Sequence, residues 1–299
     1  MLDHCERKPH IINLYSNKSV LVEEVGEMTI SDQQVGTILE VVRTQTGTDL
    51  KGYRRLMLTR RMWERMTGLG MDADRYASLC RTDSGECAKL ADTLTIHVSS
   101  FFRNPIVFEI LAQSVFPRLL QQKNEIRVWS AGCAAGEEAY SVAILIQEEV
   151  KRLKRTDVEP LIFATDVKRD VLTVAETALY PEESLNATKL GLVNAYFSSE
   201  KAGFQLSSDV REMVHFSVDD LLSKQMGAPV ESIFGSFDLI LCRNVLIYFT
   251  EEKQKQILQR LYTSLAKGGT LVLGDSETPY GSIKSRFRTV DARNKIYQK

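Results

Sequence analysis

Apolar positions along the chain change period near its middle. After a poorly patterned lead-in over residues 1–28, Thr29-Ile30-Ser31-Asp32 offers N-cap side chains. Val35, Ile38, Leu39 and Val42 then share one helical face, and Gly47-Thr48 ends it. In Lys51–Gly68, Tyr53, Leu56, Met57, Met62, Trp63 and Met66 recur at three and four, which predicts a second amphipathic helix. Asp72–Leu79 and Glu86–Leu94 read as two more, completing a small all-α module. Thr93–Pro105 changes character, with short polar side chains before Phe101, Phe102, Arg103 and Pro105, and Ile106–Leu120 is again helical.

From Ile126 on, short apolar runs alternate with helix-length segments. Ile126, Val128 and Trp129 lead into a small-residue turn (Ser130 to Gly136), then Glu137 and Glu138, then an apolar helix from Ala139. Strand, glycine turn and helix make the opening unit of a doubly wound α/β domain. Glycine suits a turn that a ligand approaches closely. The turn is neither GxGxxG nor a P-loop. Two carboxylates at the helix start oppose a bound pyrophosphate and suit a ligand presenting hydroxyls or an amine, which points to S-adenosylmethionine. An ordinary turn with acids set for the helix dipole is the plainer reading of that stretch taken alone.

Leu161–Ala164 is a second strand, and Asp166 at its end stands where such domains bind a ribose diol. Capping of the helix Val171–Leu179 is its alternative role. Tyr180–Met213 breaks the alternation with Pro181, a helix near Ala187–Tyr196, a polar loop Ser198–Gly203 and short strands at Phe204–Leu206 and Val214–Phe216, an inserted β-subdomain at about 180–215. Val214–Phe216 runs on to another strand-end carboxylate pair, Asp219-Asp220. Phe237–Cys242 is the most apolar strand and is followed by Arg243-Asn244, whose side chains need partners at the carboxyl edge of a sheet. Glu251–Leu265 is a helix stopped by Lys267-Gly268-Gly269, Thr270–Leu273 a strand, and Phe287–Tyr297 a closing antiparallel strand. The expected organisation is an N-terminal extension over 1–28, an all-α domain over 29–96, and an α/β domain over 97–299.

Bulk properties narrow the function. At 299 residues the core can be ample, and a net charge of −1 gives no global pull toward nucleic acid or membrane. No run has transmembrane length and the N-terminus lacks a signal-peptide pattern. Five cysteines without CxxC spacing read as reduced thiols of a cytoplasmic protein, and four scattered histidines form no metal-ligand cluster. Against this neutral background, Lys51–Arg65 sets Lys51, Arg54, Arg55, Arg60, Arg61 and Arg65 against one acid, Glu64. A solvated face explains it; so does docking to an acidic protein surface. The basic face lacks the interleaved aromatics that nucleic acid would want.

Several motifs occur together in order. TIHVSSFFRNP resembles a TxNxTxFFRxP pattern and RVWSAGCAAGEEAYSVAIL resembles RxWSAGCSTGEEPYSxA; FATD, FDLILCRNVLIYF and GGTLVLGDSE follow. Over about residues 29–299 the chain resembles the chemoreceptor glutamate methyltransferases, the CheR family. The resemblance implies a Rossmann-like S-adenosylmethionine-dependent domain with an inserted β-subdomain, acting on glutamate carboxylates of the cytoplasmic helical region of chemoreceptors. It implies cofactor contacts at His97, Ser99, Arg103, Glu137, Glu138, Asp166, Asp220, Leu221, Arg243 and Asn244. Docking falls to Lys51, Arg54, Arg55, Arg61 and Arg65, in a monomer that neither enters a membrane nor binds nucleic acid. His97 and Asp220 stand where asparagine is common, Ser99 for threonine, Ala134-Ala135 for Ser-Thr and Ala139 for proline. The Ser198–Gly203 loop is short beside members whose insert binds a receptor-tail pentapeptide, so recognition independent of that peptide is expected.

A glutamate carboxylate attacks a sulfonium methyl without prior deprotonation near neutral pH, so alignment and desolvation matter more than a base. Arg103 is the first candidate to hold the acceptor carboxylate and Tyr248 the second to line the transfer site. A methyltransferase for another protein, a small molecule or RNA, and a non-catalytic S-adenosylmethionine-sensing adaptor, are the competing readings. Net charge opposes RNA.

Overall fold

The computed structural model describes residues 30–95, 98–223 and 236–299. The expected lead-in over residues 1–28 and His97 lie outside them. Two compact units emerge: residues up to Thr48 with Leu58–Ala91, and Asp49–Met57 with Asp92–Lys299.

In the first unit, helix α1 (Asp32–Thr46) opens on a reciprocal capping box between Ser31 and Gln34 and stops at Gly47, which adopts φ 74°. Val35, Ile38 and Val42 form its buried stripe. Helix α2 (Arg55–Gly68) begins four residues later than the apolar spacing predicts and buries Leu58, Met62 and Met66, one residue every fourth position. Leu56, expected inside, is 73% exposed. Helix α3 (Ala73–Thr82) is capped by Asp72, whose side chain accepts the Arg75 amide, and α4 (Ser84–Leu94) follows.

One charged cluster is built into this unit. The Arg65 guanidinium donates Nε to Glu86 Oε1 at 2.6 Å and a second N–H to Oε2 at 2.8 Å, and the Tyr76 hydroxyl donates to Oε1 at 2.8 Å. Hydrogen bonding from Arg65 holds the Glu86 carboxyl below its usual pKa against the opposing effect of burial. A depressed folded pKa stabilises the fold above the unfolded carboxylate range, and that contribution is lost as pH falls through the folded value. Glu86→Gln should therefore lower stability by about 2–3 kcal/mol at neutral pH, because a half-buried guanidinium loses its counter-charge. The gap between variant and wild type should shrink in denaturant titrations below about pH 4. Equal stabilities at pH 7 would refute this.

The second unit is organised by a seven-stranded sheet, order β6-β2-β1-β7-β8-β10-β9. Its strands are β1 (Glu125–Ala131), β2 (Glu159–Asp166), β6 (Val214–Val218), β7 (Phe237–Cys242), β8 (Leu265–Leu273), β9 (Arg288–Asp291) and β10 (Ile296–Gln298). β6 to β8 run parallel; β10 and β9 close the edge antiparallel. The chain builds outward from β1 to β2 and β6, then crosses to β7, so strand order reverses between β1 and β7, where ligands bind in such sheets. One face packs under α5 (Pro105–Ile110), a π-helical turn (Leu111–Val115), α6 (Phe116–Gln122) and α7 (Glu137–Leu153), through Phe116, Ile126, Val128, Val142 and Ile146. Trp129, Phe237, Ile240, Ile257 and Leu261 pack the other face under α11 (Glu251–Ser264).

Between α8 (Arg169–Thr177) and β6 the chain leaves the sheet. β3 (Leu179–Tyr180), β5 (Gly203–Leu206) and β4 (Phe197–Glu200) form a separate three-stranded antiparallel sheet with α9 (Leu190–Tyr196) and, after β5, α10 (Ser208–Arg211). Several details differ from the sequence expectation. The closing strand expected over Phe287–Tyr297 is two strands, β9 and β10, joined by a turn, and Leu179, expected at the end of a helix, opens β3 because α8 stops at Thr177. Val214–Phe216 belongs to the main sheet, pairing with β2, and not to the insert. Ser198–Glu200 is strand rather than loop, leaving Lys201-Ala202 as the turn. Lys267-Gly268-Gly269 lies within β8, and α11 ends earlier, at Ser264.

Candidate active site

The carboxyl ends of β1, β2, β6 and β7 frame one pocket in the second unit. On the β1 side, Gly132 adopts φ 76° beneath Val245; a Cβ there would stand 2.6 Å from a Val245 methyl. Ala134 also has positive φ, 50°, and its amide donates to Asp166 Oδ2 at 3.0 Å while the Lys168 amide donates to Oδ1 at 3.1 Å. The buried Asp166 carboxylate thus ties the glycine turn to the end of β2. A carboxylate has about four acceptor sites, and two backbone amides occupy two of them.

The two acids of the turn separate. Glu138 lines the pocket and is engaged at both oxygens, accepting Ser130 Oγ at 2.8 Å and Arg243 at 3.2 Å. Glu137 is buried outside the pocket lining; Oε2 has no hydrogen-bond partner among the described residues, and burial raises its pKa.

Arg243 is the hub. It is 6% exposed; besides Glu138 it donates to the Arg103 carbonyl at 2.8 Å and to Asn104 Oδ1 at 3.0 Å, and its guanidinium lies 5.4 Å over the Phe108 ring. Asn104 passes the network on, donating to Asp275 at 2.5 Å. Phe102 and Asn104 flank Arg103 with positive φ, 53° and 62°, so Arg103 sits in a kinked, tightly bonded loop. Its side chain is exposed at the pocket, with one N–H 3.4 Å from the Val98 carbonyl. Asn244, φ 59°, is also held by an acid: buried Glu277 accepts the amides of Asn244 at 3.0 Å, Ile247 at 3.2 Å and Gly274 at 2.6 Å.

The remaining wall comes from β6 and from the stretch before α2. Asp219 is buried on the lining; Arg260 donates to Oδ1 at 2.7 Å, and Oδ2 has no partner among the described residues. Asp220 and Leu221 follow on the lining. Tyr53 packs against Phe249 with ring centroids 4.8 Å apart and planes tilted by 54°, and Tyr248 joins them on the lining. Burial, then the charges of Asp220 and Asp166, raise the Tyr53 phenol pKa.

The structure therefore brings Ser99, Arg103, Glu138, Asp166, Asp220, Leu221, Arg243, Asn244 and Tyr248 to one pocket and leaves Glu137 off it. Asp219, one of the strand-end carboxylate pair, joins them, as does Tyr53, which the apolar spacing puts on a helix face. Asn104 and Glu277, which hold Arg243 and the Asn244 turn, carry no site signal in the sequence. The docking stripe also changes. Lys51 and Arg54 precede α2, Lys51 in a turn and Arg54 just after the Tyr53–Phe249 bridge, where the Thr250 amide donates to the Gly52 carbonyl at 2.9 Å and the Arg54 amide to that of Tyr248 at 2.8 Å. Arg54 Nε bonds the Phe249 carbonyl at 3.1 Å, and Arg65 is committed to Glu86. Arg55 and Arg61 remain on α2 itself.

Residues 97–296 match the family described as CheR methyltransferase, SAM binding domain, and residues 33–95 match CheR methyltransferase, all-alpha domain. The chain is 31% identical over 287 residues to the chemotaxis protein methyltransferase of Salmonella typhimurium, covering 93% of this chain and 96% of that one. It is equally 31% identical over 271 residues to an uncharacterized 104.1 kDa protein of Rhodobacter capsulatus, covering 89% of this chain but 27% of that one. Among solved structures, a putative O-methyltransferase from Nostoc punctiforme is similar at 15% identity and TM-score 0.34, over 81% of this chain and 54% of that chain.

Proposed function

Because the chain belongs to the CheR methyltransferase family, we propose that it transfers the methyl group of S-adenosylmethionine to glutamate side chains of chemoreceptors, leaving methyl esters. S-adenosylmethionine supplies a methyl carbon on a positively charged sulfur, open to attack by an oxygen anion. The residues present suit that cofactor: a buried carboxylate for a diol (Asp166), a glycine turn without room for a Cβ (Gly132), and a tyrosine and aliphatic wall (Tyr53, Leu221).

The observation that carries the glutamate reading is the pairing of one exposed guanidinium, Arg103, with protonated neighbours. Burial raises the Tyr53 phenol and the Cys133 thiol well above neutrality. Glu138 is tied to Ser130 and Arg243, and Asp166 to two backbone amides. Asp219 is paired with Arg260, and Asp220 accepts the Leu222 amide at 2.8 Å. An amine or alcohol acceptor would need a base, and each lining carboxylate is already held by a cation, a hydroxyl or an amide. A carboxylate arrives already ionised. Arg103 holds it at the mouth, and Arg243, through the Arg103 carbonyl and Asn104, fixes the loop that aims Arg103. As the new oxygen–methyl bond forms, the sulfur–methyl bond breaks with its electron pair going to sulfur; no proton moves. Transfer to the carboxylate thus rests on alignment and desolvation rather than on a proton relay.

The test is transfer of radiolabelled methyl from S-adenosylmethionine to chemoreceptor-rich membranes, followed by alkali. Label on a receptor-sized band that alkali releases as methanol is the expected result. Alkali-stable label would indicate an amine acceptor. No label, with cofactor binding intact, would support a sensing adaptor.

A further inference from the structure

Charge is distributed unevenly along the chain. Residues 281–299 hold six Lys or Arg against one Asp, so in a protein of net charge −1 the other 280 residues sum to −6. The fold gathers part of this surplus beside the pocket. Phe249, on the pocket wall, gives its carbonyl to Arg54, and two residues on, the Glu251 carbonyl accepts the Tyr280 hydroxyl at 2.5 Å. Lys255, one turn into α11, lies 5.8 Å over the Tyr280 ring, and its Cε is 3.8 Å from where a Cβ on Gly281 would stand. The 3-10 turn Gly281–Arg286 then presents Lys284 and Arg286, both exposed, and β9 begins with exposed Arg288. Arg286 rests 5.6 Å over Tyr262, and among the described residues Arg288 bonds the neutral Gln298 side-chain carbonyl oxygen, its Nε at 3.1 Å. No described carboxylate lies within ion-pair distance of Lys255, Lys284, Arg286 or Arg288. Exposed Glu251 and Glu252, and partly exposed Asp291 at the end of β9, are acids that border the track.

We propose that this track, from Arg54 across Tyr280 and Lys255 to Lys284, Arg286 and Arg288, docks a carboxylate-rich stretch of the acceptor protein while one of its glutamates enters the pocket. The inference rests on the acceptor reading above. Three features select a polypeptide carrying several acids. The track starts on the pocket wall, so its occupant is continuous with what enters the pocket. Lys255 and Arg286 lie against the Tyr280 and Tyr262 rings, and Lys255, Lys284, Arg286 and Arg288 are all exposed. Its far end is β9, the outermost strand of the sheet, with a half-exposed Val290 to seat an apolar side chain between acids.

The experiment compares wild type with Lys255→Glu/Lys284→Glu/Arg286→Glu, using a soluble cytoplasmic fragment of a chemoreceptor as acceptor and S-adenosylmethionine as donor. Wild-type transfer to the fragment first establishes the acceptor reading on its own; its absence would overturn both proposals. With transfer in hand, the variant should raise KM for the fragment about tenfold at low salt and flatten its rise with salt. Its kcat, its KM for S-adenosylmethionine and its circular dichroism should stay those of wild type. The charge-preserving Lys255→Arg/Lys284→Arg/Arg286→Lys should behave as wild type. An unchanged KM for the fragment would overturn the proposal. So would an unchanged KM combined with loss of binding to phosphatidylglycerol vesicles, which would assign the track to a membrane surface.

Discussion

Replacing Arg243 with leucine should lower methyl transfer by roughly a hundredfold or more and cost about 3–5 kcal/mol of stability. Both effects follow from its position. The side chain is 6% exposed and is the only described cation bonded to the buried Glu138. Removing it strands that carboxylate with the Ser130 hydroxyl alone. It also releases the Arg103 carbonyl and the Asn104 side chain. Arg103 sits between two residues in left-handed conformations, which such contacts hold in place. Without them the loop can relax and carry Arg103 away from the pocket. A double variant separates the two effects. Arg243→Leu with Glu138→Leu removes both charges and should recover most of the stability, since an apolar pair of similar volume can replace a buried ion pair. Activity should stay low, because the anchor of the Arg103 loop is still missing. Thermal melts and single-turnover transfer would be measured on the same samples. Recovery of both stability and transfer in the double variant would show that the pair serves folding alone.

Much of this architecture is legible in the sequence because its signals are local. The Ser31–Gln34 cap, the apolar β1 and β7, the small-residue turn and the strand-end carboxylates each mark their own element. The elements that resisted reading depend on partners far away in the chain. Tyr53 continues a three-and-four spacing with Met57, and nothing nearby says that the stretch before Arg55 leaves the helix to bond the loop after β7. Val214–Phe216 is too short to declare its sheet; pairing with β2 decides it. Arg65 reads as one more surface cation in its own segment; its partner Glu86 lies 21 residues on, beyond the reach of a local pattern. Glu277 shows the same limit within the site. It lies in a quoted motif, yet its three amide partners come from two different loops, so its work in shaping the Asn244 turn is invisible without coordinates.

Asp166→Ala should weaken S-adenosylmethionine binding by roughly a hundredfold, about 2.7 kcal/mol, if the carboxylate takes two ribose hydroxyls through charge-assisted hydrogen bonds. The structure adds a second consequence. Asp166 accepts the buried Ala134 amide and the part-buried Lys168 amide, so the alanine variant leaves a buried backbone donor unpaired, at about 1–3 kcal/mol. Some loss of stability is therefore expected even where no ligand is present, and a drop in melting temperature alone says nothing about the ribose. The glutamate variant sorts this out. Asp166→Glu keeps the charge and the acceptor chemistry but moves the oxygens by one methylene. It can retain part of the turn while losing the diol geometry. Calorimetric titration with S-adenosylhomocysteine should then show the alanine and glutamate variants both weakened, with the glutamate variant closer to wild type in stability. Adenine titrated alone should be affected far less than the full nucleoside in either variant, because the carboxylate is assigned to the sugar. Equal weakening for adenine and for the nucleoside would mean that Asp166 acts by shaping the glycine turn and not by contacting the ribose.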